Sequence, residues 1–217
     1  MPSAELDRLA AHPLLVRFMR TLAQHPPREI VAEETSVRLA AILLVLRARD
    51  DGEPELLMIK RAEHEGDPWS GHVACPGGRM EPGDRDLSVT AVRETLEETG
   101  IDVARDGRLL GQLDDLRPRS PLLPPMVIRP YVALVRADVD IVPSHEVASA
   151  FWVPVSALRE RAAWGVGLVE ARGGQRNVST FQHGEHTVWG LTERALRQFL
   201  TYVGEGPEGE SMDELVL

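Results

Sequence analysis

The sequence has one cysteine, a deficit of positive charge and no long apolar run, and each shortage excludes a class of protein. Cys75 cannot form an internal disulfide, which suits a reducing cytosol, and is predicted to pack in the core. Lysine and arginine number 24 against 34 aspartate and glutamate, and the net charge of −10 disfavours a nucleic-acid partner or an anionic membrane. No run approaches the about 18 residues of a transmembrane helix, and no signal-peptide pattern opens the chain. We therefore expect a cytoplasmic protein.

The hydrophobic pattern predicts strands interleaved with a few helices, which indicates an α/β or α+β fold. Residues 3–24 are predicted to form amphipathic helices interrupted at Pro13, and the apolar run 37–48 is typical of a strand buried on both faces. A turn at residues 50–52 leads to its hairpin partner at 55–62. Further strands are predicted at 72–75, 108–115, 126–137, 164–171 and 177–189, and further helices at 154–161 and 190–203.

The length of 217 residues suits a single main domain with a substantial core. We expect an N-terminal helical extension at residues 1–35, the main domain at 36–203 and a flexible tail at 204–217, because the tail is polar and rich in glycine.

The most informative stretch is residues 77–101, GGRMEPGDRDLSVTAVRETLEETGI, where two glycines and an acidic loop lead into a helix. Glu94, Glu97 and Glu98 share one face of that helix, because residues three and four apart are neighbours. Like charges at this spacing cost roughly 0.2–0.5 kcal/mol each. A hard divalent cation, which prefers oxygen ligands, would offset that cost.

The alternative is an ordinary solvated acidic face, and the surrounding residues weigh against it. Glycines at 77 and 78 let backbone approach a ligand closely. Asp84 or Asp86 is a suitable N-cap, and Gly100 suits the left-handed position that ends a helix. The opposite side of the helix is apolar and is predicted to face the core: Val89, Val92 and Leu96.

This stretch resembles the Nudix box, the signature of the Nudix hydrolases. Residues 93–101 fill its C-terminal half, Arg-Glu-apolar-x-Glu-Glu-x-Gly-apolar, with Thr95 at the first apolar position. The spacing from glycine to Arg93 is one residue longer than usual, and Asp84 lies near the first acidic position of the box. The resemblance implies the Nudix fold, a mixed β-sheet sandwiched between α-helices, and Mg²⁺- or Mn²⁺-dependent hydrolysis of a diphosphate linkage.

Segments outside the box resemble one branch of the family, the coenzyme A pyrophosphatases: LLMIKRA at 56–62, GHVACPGG at 71–78, EVASAFWVPVSAL at 146–158 and HTVWGLTERAL at 186–196. The branch implies cleavage of coenzyme A or acyl-CoA to 3′,5′-ADP and (acyl-)4′-phosphopantetheine. Asp67, His72 and Cys75 stand where the branch usually has arginine, glutamine and phenylalanine. ADP-ribose, NADH and nucleotide sugars are therefore alternative substrates.

The resemblance also implies roles for single residues. Glu97 and Glu98 would be the main metal ligands, Glu94 a third ligand or the base for the attacking water, and the carbonyl of Gly77 a further ligand. Glu146 is the best outlying carboxylate for a further ligand or base, against the alternative of a surface glutamate. Arg93 lies four residues before Glu97 and can orient it. Glu81 and Asp84 would belong to the outer shell or the helix cap.

Candidate substrate contacts are less specific. Guanidinium groups bind phosphates in bidentate fashion, and four arginines are candidates for this role: Arg61, Arg117, Arg119 and Arg129. Trp69 could stack on a base or anchor its loop to the core. His183 and His186 lie on a strand–turn segment and need not share a face, which disfavours a zinc site.

The non-enzyme alternative is a catalytically silent Nudix domain that binds a nucleotide. Lost box carboxylates or a fused DNA-binding module would mark such a protein, whereas all three glutamates are present and no such module appears. The partner is expected to be a small nucleotide substrate, and the oligomeric state is left open between a monomer and a homodimer.

Overall fold

The computed structural model describes residues 2–30, 37–66, 69–118, 124–171 and 174–204. The chain opens with two helices, α1 at Pro2–Ala10 and α2 at Pro13–Gln24. Pro13 begins α2 because a proline at the first helical position loses no hydrogen bond, so the predicted interruption is confirmed.

Within the described ranges, seven strands form a mixed sheet: β1 (Arg38–Ala48), β2 (Pro54–Arg61), β3 (Val73–Ala74), β4 (Gly77–Arg79), β5 (Gly107–Gln112), β6 (Met126–Val135) and β7 (Val147–Pro154). The main order is β3-β2-β1-β6-β5, with β4 also paired to β1 and β7 also paired to β2. β1 runs parallel to β6, whereas β1 and β2 form the predicted antiparallel hairpin.

A second sheet has three antiparallel strands among the described residues: β8 (Trp164–Ala171), β9 (Gly174–His183) and β10 (His186–Trp189). The remaining elements are α3 (Leu87–Thr99), α4 (Val103–Asp106), α5 (Val155–Leu158), a 3₁₀ turn (Arg161–Ala163) and α6 (Gly190–Tyr202).

Helices cover both faces of the mixed sheet. Alternate residues of β1 point to opposite sides, so Leu44 packs in the cluster that holds α1, α2 and α6, whereas Leu43 packs in the cluster that holds α3. Both leucines are fully buried. The predicted fold, a mixed sheet between helices, is confirmed.

The N-terminal helices belong to the main core. Phe18 of α2 is fully buried, and its ring centroid lies 6.0 Å from those of Phe199 and Tyr202 in α6. The predicted division at residue 35 remains a proposal. The predicted tail lies outside the described residues apart from Gly204. Among the described helices, none combines the length and the apolar character that crossing a bilayer demands.

Two local expectations are wrong. Strand β7 was not predicted, although it pairs with β2 through most of its length. The single strand expected at 177–189 is two strands, β9 and β10, separated by a two-residue turn at Gly184 and Glu185. His183 and His186 consequently oppose each other in register and share a face.

The predicted core face of α3 is wrong in part, although Val92 packs against the core cluster. Leu96 is 44% exposed, and Val89 and Val92 are only partly buried. Small and polar side chains of α3 are buried in their place: Thr90, Ala91, Thr95 and Glu98. The helix therefore turns part of its acidic face toward the sheet.

Candidate active site

Helix α3 is fixed at both ends by the residues that its sequence suggests. Asp86 is the N-cap, and one carboxylate oxygen accepts hydrogen bonds from the backbone N–H groups of Ser88 and Val89 at 2.9 and 3.1 Å. Gly100 follows the last turn with a φ of 75°, a left-handed conformation that a side chain disfavours. The three glutamates are thereby held at a defined place against the sheet.

Arg93 connects the acidic loop to the glutamates. Its guanidinium donates to both carboxylate oxygens of Asp84, from Nε at 3.1 Å and from Nη2 at 3.0 Å. It also donates to the Arg79 carbonyl at 3.0 Å and lies 3.1 Å from Glu94 and 2.9 Å from Glu97. The predicted contact with Glu97 is present, and Asp84 is an outer residue that holds the arginine.

Glu98 is the most buried of the three glutamates, with 3% of its surface exposed. Its Oε2 accepts a hydrogen bond from the backbone N–H of Gly77 at 2.8 Å, and its Oε1 lies 3.4 Å from Arg61. Burial raises its pKa to about 7, with further upward contributions from the charges of Glu94 and Glu146. The two donors do not offset the loss of water around this carboxylate.

Glu94 lies against the glycine turn. A Cβ atom at Gly78 would collide with the carboxylate of Glu94, so this close approach requires glycine. Burial raises the pKa of Glu94, against the lowering effect of Arg93. Glu94 and Glu98 are consequently two partly desolvated carboxylates whose charges repel each other.

Glu146 is brought to the same place by backbone hydrogen bonds. Two N–H groups of the preceding segment donate to the last carbonyls of α3: Val142 to Thr99 at 2.8 Å and Ser144 to Glu98 at 3.0 Å. The N–H of Ala62, the residue after Arg61, donates to the Glu146 carbonyl at 2.8 Å. Glu146 is exposed, and its charge contributes to the raised pKa values of Glu94 and Glu98.

The carboxylate and carbonyl oxygens of this site are ligands that a hard divalent cation prefers, although they do not converge on one point. In the described ranges, no three His, Cys, Asp or Glu side chains are arranged closely enough to hold a metal ion. The carboxylates are engaged by Arg61 and Arg93, and a cation would compete with these two arginines. The all-oxygen chemistry and the surplus of buried negative charge fit Mg²⁺ or Mn²⁺.

The predicted substrate contacts are scattered. Arg61 lies on Glu98, and Arg117 is exposed, with its carbonyl accepting a hydrogen bond from Arg194. Trp69 packs beside a small apolar cluster that includes Met126, which corresponds to the anchoring alternative. Arg119 and Asp67 lie outside the described residues.

Arg129 is occupied by a different partner set. It donates to both oxygens of the buried Asp115, at 2.8 and 2.9 Å, and lies 3.2 Å from Glu29. This pairing assigns Arg129 a structural contact rather than a place beside the glutamates. Sequence reasoning missed it, since Asp115 and Arg129 meet only where Leu116, beyond the end of β5, forms a bridge with Ile128 of β6.

The remaining candidates outside the site are accounted for by packing. Cys75 is 2% exposed, and burial raises its pKa to about 12, so the thiol is inert core, as expected. His183 and His186, whose relative placement the sequence left open, share a face, but the described residues supply no third ligand beside them.

Comparisons with known proteins agree with this geometry. A model of the NUDIX domain family matches residues 37–170. The chain is 30% identical over 183 residues to an uncharacterized Nudix hydrolase NudL of Photorhabdus laumondii, covering 82% of this chain and 90% of that protein. A protein of the same description from Yersinia pestis is 31% identical over 167 residues, covering 76% and 80%.

A solved structure shows the same fold. The crystal structure of a MutT/nudix family protein from Enterococcus faecalis aligns with a TM-score of 0.53, covering 99% of this chain and 78% of that one, at 16% sequence identity.

Proposed function

Since the chain belongs to the Nudix family and is a hydrolase of that family, we propose that it cleaves the diphosphate linkage of a nucleoside diphosphate derivative with the help of Mg²⁺ or Mn²⁺. One observation carries the proposal. Glu98 is buried, its pKa is raised, and the charges of Glu94 and Glu146 contribute to that rise. Burying repelling carboxylates destabilises the fold. Such groups are typical of functional sites, and a bound cation would compensate their charge.

Some residues of the site would bind the cation, and others orient those ligands. Glu94, Glu97, Glu98 and the Gly77 carbonyl would hold the cation, which when bound neutralises diphosphate charge and acidifies a water molecule. Arg93 orients Glu97 and Glu94 through contacts of about 3 Å, and Asp84 fixes Arg93. Glu146 or Glu94 would accept the proton of the attacking water. Replacing Glu146 by glutamine separates the roles, because a base loses several orders of magnitude in kcat and an outer ligand much less.

We propose coenzyme A or acyl-CoA as the substrate, with 3′,5′-ADP and (acyl-)4′-phosphopantetheine as products. Four segments outside the box support it by their resemblance to coenzyme A pyrophosphatases. Departures at Asp67, His72 and Cys75 favour the alternatives ADP-ribose, NADH and nucleotide sugars. A 3′-phosphate would require a basic partner, for which Arg61 and Arg117 are the described candidates.

A substrate panel tests the proposal. kcat/KM is measured with Mg²⁺ and Mn²⁺ for coenzyme A, dephospho-coenzyme A, ADP-ribose and NADH, and the products are identified by mass. We expect coenzyme A to exceed dephospho-coenzyme A. A preference for ADP-ribose or a nucleotide sugar by more than about tenfold, roughly 1.4 kcal/mol, would contradict the coenzyme A assignment and leave the diphosphate chemistry intact. Tight binding without turnover of any substrate would favour a silent nucleotide-binding domain.

A further inference from the structure

The hairpin of β8 and β9 is firmly anchored at one end. Trp164 and Phe181 oppose each other in register, and Phe181 is fully buried. The indole Nε1 of Trp164 donates to the Leu158 carbonyl at 2.8 Å, and the guanidinium of Arg197 lies 4.5 Å above the indole ring. These contacts hold the base of the hairpin, so the residues beyond Trp164 have a defined direction. We call residues 165–170 with their β9 partners the β8–β9 arm.

The arm carries an apolar stripe that nothing in the described chain covers. Val166 is 74% exposed and Leu168 is 61% exposed. Side chains two residues apart in a strand share a face, so both lie on the side of Trp164. The β9 residues opposite them, Ser179 and Asn177, are exposed and polar. The stripe is therefore confined to β8, and a partner gains apolar contact only along that strand.

β8 is also an edge strand. Within the described residues it pairs with β9 on one side and with no strand on the other. Natural edges are usually protected by lysine, proline or a bulge. Residues 164–171, WGVGLVEA, contain neither lysine nor proline, and their register with β9 is continuous. The free edge thus offers unpaired backbone groups beside exposed apolar side chains.

We propose that a second copy of this chain pairs with this edge, so that β8 and the β8 of the partner run antiparallel about a two-fold axis at Gly167. Opposed residues of an antiparallel pair share a face, so the apolar stripe meets its own copy. Val166 then faces Leu168 of the partner and Leu168 faces Val166 of the partner. The two three-stranded sheets become one sheet of six strands across the axis, an isologous contact of the kind found in two-fold dimers.

The apolar stripe is its own complement about this axis, which favours a second copy as the occupant, and the charges of β8 permit it. Glu170 is the one charged residue of β8. In this register it faces Trp164 of the partner, over which Arg197 of that partner lies, and it does not face Glu170 of the partner. Arg197 is already ion-paired with the buried Glu193 of its own chain, so this register places no two like charges opposite each other along β8, although each chain has a net charge of −10.

Analytical ultracentrifugation over a range of concentrations tests the interface. We expect the wild-type chain to form a dimer. Val166→Lys with Leu168→Lys places lysine opposite lysine twice and should raise the dimer dissociation constant by at least about tenfold. Val166→Lys with Leu168→Glu places lysine opposite glutamate twice and should restore the dimer. Val142→Lys, at another site that is 67% exposed, should leave association unchanged.

Thermal melts of all four proteins show whether each variant is folded. A wild-type chain that stays monomeric at all concentrations overturns the proposal. So does a dimer that the two lysines leave intact, or one that the lysine–glutamate variant fails to restore although that variant is folded.

Discussion

Asp84 and Glu98 are buried carboxylates near opposite ends of α3, and their pKa values are shifted in opposite directions. The side chain of each is 4% exposed, and each has an arginine partner. The pKa of Asp84 lies far below its ordinary value, chiefly because Arg93 hydrogen-bonds it, whereas burial raises the pKa of Glu98 to about 7. Burial alone therefore does not decide the state of a carboxylate in this site.

The number of donors makes the difference. Asp84 accepts two hydrogen bonds from Arg93, one from the N–H of Glu81 at 3.0 Å and one from the hydroxyl of Thr90 at 2.9 Å. Glu98 has only the Gly77 N–H and a longer contact of 3.4 Å to Arg61. The hydrogen bonds to Asp84 therefore compensate the charge of its carboxylate. The charge of Glu98 is compensated less, which suits the proposed cation site.

The largest expected contrast between the two carboxylates is in turnover. Glu98→Gln, and likewise Glu97→Gln, should lower kcat by about 10³, close to 4 kcal/mol in activation free energy, because each removes a proposed metal ligand. Asp84→Asn should lose much less, because Arg93 keeps its contacts with Glu94 and Glu97. The assay uses the best substrate of the panel. Near-wild-type turnover in both box variants would show that the assigned site is wrong.

Stability should show the reverse order. Asp84→Ala removes four hydrogen bonds from a buried arginine-carboxylate pair and should lower the free energy of unfolding by about 3 kcal/mol. For a chain of this size that corresponds to a fall in Tm of roughly 6–12 °C. Asp86→Ala is the matched control, since it removes the N-cap together with exposed contacts to the Ser88 hydroxyl and Arg85 and should cost about 1 kcal/mol. Equal effects of the two variants would remove the distinction drawn for Asp84.

Glu98→Gln should raise stability at high pH in EDTA. Because the folded pKa of Glu98 exceeds its ordinary value of 4.5, its stabilising contribution is complete below about pH 4.5 and is lost as pH rises through about 7. Glutamine escapes that loss, so the variant should exceed wild type by about 3 kcal/mol at pH 8.5 and match it near pH 4. Melts at both pH values measure the gap. A gap that does not widen with pH would contradict the raised pKa.

The smallest effect is the response to metal. A cation that binds only the folded protein adds RT ln(1 + [L]/Kd), about 1.4 kcal/mol at ten times Kd. Thermal melts with millimolar Mg²⁺ or Mn²⁺ should therefore shift upward for wild type and for Asp84→Asn. The shift should shrink in Glu98→Gln. If wild type shows no shift and soaked crystals show no metal density near Glu94 and Glu98, the cation site is disproved.

The sequence predicted the helix of the box, its caps and the position of most strands, because these depend on local periodicity and on glycine and aspartate at helix ends. It also indicated Glu146, which the chain brings beside α3 from about 50 residues away. The core side of α3 was misjudged because Leu96 faces solvent, while Glu98 and Thr95 are buried by the sheet. Apolar periodicity cannot anticipate a helix that buries part of its acidic side.

The partners of the charged residues were less predictable. Arg61 was expected to hold phosphate and lies on Glu98, because the end of β2 comes beside α3 only in the folded sheet. Arg129 pairs with Asp115, which lies beside the bridge between Leu116 and Ile128. Nothing in the residue types at these positions separates a substrate arginine from a structural one. Pairing of this kind follows from tertiary contacts, which local sequence patterns do not report.

The segment before Glu146 has an evolutionary and engineering consequence. It is held to α3 by the backbone N–H groups of Val142 and Ser144, which any residue other than proline can supply. These two contacts do not depend on side chains, but the Ser144 hydroxyl also accepts a hydrogen bond from the N–H of Glu146 at 3.3 Å, so Ser144 and the number of residues are both constrained. Deleting or inserting one residue between Ser144 and Glu146 would move the carboxylate by about 3.3 Å, one step of extended chain. Libraries that diversify this loop should therefore keep its length and Ser144 constant and vary the other side chains.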